Sequence, residues 1–163
     1  MTNVLERMHI TYHPEQDRLL LRVDTGSAGE YRVWLTRRYS ELLLGLVADL
    51  IDKEGGMQRL ASREDTRALL RSGALTQQGG LPALDATEAP LPLGANGILG
   101  YRINYGRDQP ELVTLQLLPE QGEGLNMNMN PPTLYLFYTM LEQGGSQADW
   151  QLRLAGHRKD PVH

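Results

Sequence analysis

The sequence predicts an α+β domain of internally duplicated β-β-β-α units, with an antiparallel sheet or sheets and helices packed on one side. Three observations carry this. Segments alternating at period two come in sets of three, each set precedes a longer segment with helical apolar spacing, and the first set returns in the second half at a nearly constant offset. About seven strands and three helices are expected. At 163 residues and 40% hydrophobic content the chain has the length for one core of ordinary depth, so a single domain over 1–163 is expected.

The first unit spans 8–53. Met8, Ile10 and Tyr12 alternate up to the turn-prone HPEQD, and Leu19, Leu21 and Val23 alternate after it, which reads as a hairpin. A third strand follows the DTGSAG turn, with Tyr31, Val33 and Leu35 on one face. Thr36 stands at an N-cap position, and Tyr39, Leu42, Leu43, Leu46, Val47 and Leu50 then recur at helical spacing until Gly55-Gly56.

The second unit spans 97–143. Tyr101, Ile103 and Tyr105 match the first strand at an offset of 93, while Val113/Leu115/Leu117 and Leu125/Met127/Met129 match the second and third at 94. One extra residue is therefore expected in the second hairpin turn. Asn130 falls 94 residues after Thr36, again at a cap, and the helix is expected to stop at Gly144-Gly145. Between the units, 54–96 reads as a connection with one short helix, opened by Ser62 with Asp65 and closed by Gly73, followed by a Gly- and Pro-rich stretch lying over the core. Trp150, Leu152 and Leu154 alternate, so a closing strand is expected at 146–155 and a flexible tail at 156–163.

Composition narrows the function classes. No cysteine means no disulfide, thiolate metal site or thiol nucleophile, and a net charge of -4 gives no global attraction to nucleic acid. No apolar run reaches the roughly 18 residues of a membrane span and MTNVLERMHITYH lacks a signal-peptide pattern, so a cytoplasmic protein without membrane partners is expected. His9 and His13 would share a strand face but lie about 13 Å apart, too far to hold one metal ion. No GxSxG occurs, the glycine run 94–100 lacks a P-loop lysine, and neither Asp17 with Asp24 nor Glu120 with Glu123 forms a spaced acid pair. No catalytic residue, metal or cofactor is expected, and the chain reads as non-enzymatic.

The basic residues form the more specific patterns. Leu20, Arg22, Arg32 and Trp34 fall on the outer face of the first unit's strands, next to Arg37 and Arg38 in the first helical turn, where positive charge opposes the helix dipole. Trp and Arg together favour a protein partner or self-association into a homo-oligomer. The alternative is single-stranded nucleic acid, with Trp34 stacking on bases and the arginines on phosphates. Burial of that face under 54–96 is the bland reading beside both. A secondary stripe, Arg59, Arg63, Arg67 and Arg71, recurs every four residues, as a solvated helix face would. The corresponding outer face of the second unit carries Asn126 and Asn128 instead.

The segments RVWLTRRYSELL, GLNMNMN and ADWQLRL resemble those of a family of uncharacterised bacterial proteins of about this length. The resemblance runs from about Leu5 to Leu154 and implies a bacterial, cytoplasmic setting without assigning an activity. In outline alone, the repeated strands-then-helix layout is similar to the PUR and Whirly single-stranded nucleic-acid binders.

Overall fold

The computed structural model describes residues 5, 7–72, 84–85 and 88–152. Its strands are β1 (Arg7–His13), β2 (Arg18–Asp24), β3 (Glu30–Leu35), β4 (Ile98–Leu99), β5 (Arg102–Gln109), β6 (Leu112–Leu118) and β7 (Leu125–Met129). Its helices are α1 (Arg37–Lys53), α2 (Met57–Ser62), α3 (Glu64–Ser72) and α4 (Pro131–Gln147). The fold is α+β, with one sheet ordered β1-β2-β3-β4 and another ordered β5-β6-β7. All pairings are antiparallel except β3 with β4. Gly100 donates its backbone N–H to Trp34 and Tyr101 to Leu118, so consecutive residues leave one sheet and join the other.

Alternation decides which face is buried. Leu19, Leu21 and Val23 of β2, Val33 and Leu35 of β3, and every second residue of β6 and β7 join α1 and α4 in a single apolar cluster. Leu19, Leu21 and Val23 pair with Leu35, Val33 and Tyr31, and Val113, Leu115 and Leu117 pair with Met129, Met127 and Leu125, at one offset of 94 throughout. The helix caps keep it too. Thr36 Oγ1 accepts the N–H of Tyr39, and Asn130 Oδ1 accepts that of Thr133.

Helix α4 lies against the first run's hairpin, and α1 is tied to the second run's at two points. The α4 helix packs on β1, where Gly144 leaves room for Ile10 and Leu19; a Cβ there would stand 3.1 Å from both. Helix α1 runs beside β5, with Tyr39 donating its hydroxyl to Arg102 O near one end and Glu54, just past the other, paired with Arg107 at 2.8 Å.

Four expectations are corrected. The match of β5 to β1 slips by two residues, since Ile10 faces Leu21 but Tyr105, not Ile103, faces Leu115. A two-residue slip keeps every side chain on its face, so alternation could not register it. The second turn is accordingly the shorter one, with a bulge between Arg107 and Gln109. Gly144-Gly145 does not end the helix, which continues to Gln147 before Ala148 and Trp150 donate their N–H groups back to Gly144 and Gly145. Residues 146–152 are thus helix end and turn, not a closing strand; 153–155 and the tail 156–163 lie outside the described residues. The seventh strand is instead β4. Finally, the connection holds two helices, broken at Arg63, whose ψ of 143° is extended. Ser62 donates its hydroxyl back to Arg59 O and does not cap the second of them.

Candidate interaction surface

The outer face of the first sheet is covered. Leu20, Arg22 and Arg32 are buried, and Trp34 is half-buried. Glu30, buried between the two arginines, accepts both Nε and Nη2 of Arg22 at 2.9 and 3.0 Å, and Nε of Arg32 at 2.7 Å. Burial would raise the Glu30 pKa, but the hydrogen bonds and charges of Arg22 and Arg32 together outweigh it and hold the carboxyl below its ordinary range. Arg32 also donates to Ala95 O at 2.6 Å and Leu84 O at 2.7 Å, and Trp34 Nε1 donates to Asn96 O at 2.8 Å. These donors strap the connecting segment over the sheet.

This placement corrects the expected partner face. Guanidinium N–H groups already spent on a buried carboxylate and on backbone carbonyls are not presented to phosphates or to a partner. Trp34 meets the His13 ring edge-on at 5.0 Å and borders a cavity of about 410 Å³ lined with Leu20, Arg32, Leu84, Asp85 and Asn96. Of the six residues, Arg37 and Arg38 are exposed, and Arg37 lies 3.8 Å from Glu41. The secondary stripe is also divided: Arg59 sits on α2, Arg63 at the break, and Arg67 and Arg71 on α3. Arg63 pairs with Asp65 and Glu111, and Arg71 with Glu64, the local ion pairs of a solvated face.

A different surface is open. Ile103 and Tyr105 face Leu117 and Leu115, on the side of the second sheet that elsewhere forms core. Yet β5 is an edge strand, Tyr101 and Tyr105 are 60% and 54% exposed, and Ile103 is half-buried. On α1, Leu42 is 52% exposed. The positions 94 residues after Leu42 and Leu46 are Leu136 and Met140, both 2% exposed on α4, against which α2 and α3 pack. On the outer side of α1, Leu42 is exposed and Leu46 half-buried. Periodicity groups Leu42, Tyr101 and Tyr105 with the buried residues of their segments, because it identifies an apolar face without saying whether another element covers it.

The other side of the second sheet is mostly polar, with Arg102 at its β5 edge. Asn104, Gln116 and Asn126 lie in one row across it, with Asn104 Nδ2 donating to Gln116 Oε1 at 3.3 Å, and Thr114 donates to Asn128 Oδ1 at 2.8 Å. Among the described residues no group of three His, Asp or Glu is placed to hold a metal ion, and no helix is long and apolar enough to cross a membrane. No family model, curated protein or solved structure matches the chain.

Proposed function

We propose that the protein is a non-enzymatic interaction module that docks a protein along β5 and the adjoining flank of α1. The observation that carries this is the exposure of Tyr101, Tyr105 and Leu42 beside a strand edge that is unpaired among the described residues. Apolar side chains grouped next to a strand edge are what strand-addition partners use, affinity coming from the backbone and selectivity from the side chains. Arg37 and Arg38, exposed at the start of α1, add charge at the rim.

The reading keeps a cytoplasmic setting, supported by the cysteine-free composition. It treats the chain as internally duplicated, supported by the shared strand registers and caps.

Tagged wild type and a Leu42→Glu/Tyr105→Glu variant, compared by affinity capture under native conditions, test the site. Loss of captured companions, other copies of the chain included, is expected in a variant with unchanged circular dichroism. Recovery of the same companions by both proteins would place the contact elsewhere.

A further inference from the structure

We infer that the occupant of this surface is a second copy of the chain, its β5 paired antiparallel with the first about a twofold axis through Asn104. The inference rests on the interaction reading above and names its partner. An antiparallel strand pair is self-complementary under a twofold, so an edge strand can meet its own copy in register. The regular part of β5 runs from Arg102 to Arg107, where the bulge begins. With Asn104 on the axis, Ile103 faces Tyr105 of the copy, Tyr101 faces Arg107, and Arg102 faces Gly106. The apolar pairs then fall on the α1 side, while Asn104 meets Asn104 on the amide side.

Charge selects this occupant. With the axis perpendicular to the sheet, α1 and its copy lie side by side and antiparallel. The flank that approaches the axis carries Arg38, Leu42, Leu46 and Asp49, spaced four, four and three residues apart. Antiparallel alignment sets Leu42 against Leu46 of the copy and Arg38 against Asp49. Of the exposed charges on α1, Arg37 and Arg38 stand at its start and Asp49, Asp52 and Lys53 towards its end, which leaves the start the more positive of the two. A twofold repeats the pairing of Arg38 with Asp49 of the copy at both ends, and the helix dipoles also oppose. A parallel arrangement would place Arg38 against Arg38.

Sedimentation analysis of the pure protein across a wide concentration range is the first test, and a monomer–dimer equilibrium is expected. Because the chain has no cysteine, Asn104→Cys supplies a single thiol. Directly opposed antiparallel residues lie about 4.5–5.5 Å apart at Cα, within disulfide reach. Mild oxidation should link Asn104→Cys into a covalent dimer and leave Glu120→Cys monomeric. Arg38→Glu should weaken the dimer roughly fivefold, the scale of an exposed ion pair, and Arg38→Glu/Asp49→Arg should restore it. These surface changes keep the test usable if the apolar variants fail to fold. A wild type monomeric at every concentration overturns the inference, as does a dimer that Asn104→Cys does not link or that Arg38→Glu leaves unchanged. A monomer whose other companions are lost in Leu42→Glu/Tyr105→Glu would overturn self-pairing while leaving the interaction reading intact.

Discussion

Trp150 donates its indole N–H to Asp17 Oδ1 at 3.0 Å, tying the turn after α4 to the tip of the first hairpin across 133 residues. Asp17 sits at φ 52° and also accepts the Tyr12 hydroxyl at 2.7 Å. The hydrogen bond from Tyr12, then that from Trp150, holds its carboxyl below the ordinary range. The Tyr12 and Trp150 rings meet edge-on at 6.0 Å. Trp150→Ala removes the buried ring as well as the donor and should cost about 3–5 kcal/mol of stability in urea denaturation. Trp150→Phe keeps an aromatic ring and should cost less.

Glu30 makes stability depend on pH. Its folded pKa lies below the unfolded one, so its contribution is fully present above the unfolded pKa and fades as pH falls through the folded pKa. Glu30→Gln should cost about 3–5 kcal/mol at neutral pH, the range for breaking a buried ion pair. The gap between wild type and variant should narrow steadily in urea titrations below the ordinary Glu range. A gap that stayed constant to low pH would show that the carboxylate charge is not what matters.

Arg32 holds the strap at two carbonyls 63 and 52 residues away in sequence. A lysine cannot reproduce the planar fork that reaches Glu30, Leu84 and Ala95 together. Arg32→Lys should make the 84–97 segment open more readily, read as faster cleavage there in limited proteolysis while the α1 and α4 amides keep their hydrogen-exchange protection.

The two caps are equivalent and independent. Thr36→Ala and Asn130→Ala should each cost about 1 kcal/mol, and the double variant about the sum, since they serve different helices. Thermal or urea unfolding of the three variants checks this.

The pairing of faces in β2, β3, β6 and β7 was legible because an alternating strand buries one face whatever covers the other. Thr36 and Asn130 were legible because a cap is a local bargain between one side chain and one turn of backbone. The outer face was misread at Arg22 and Arg32, since alternation says nothing about a coil laid across a sheet. Glu30 was the available signal: an acid beside two arginines on one sheet face points to internal neutralisation. Gly144-Gly145 looked like a stop, yet the absent Cβ of Gly144 serves close approach to Ile10 and Leu19. The open edge at Tyr105 was hidden by a limit of patterning: α1 and α4 both carry apolar flanks, and only the packing of α2 and α3 against α4 distinguishes them.

The exchange of helices between hairpins orders events during synthesis. The first hairpin is complete at Asp24, but α4, which packs on β1, ends only at Gln147. Until then the growing polypeptide carries Met8, Ile10 and Leu19 without that cover, long enough at ordinary elongation rates of about 5–20 residues per second for holding factors at the ribosome to act. Burial of that sheet then waits until α4 has been made.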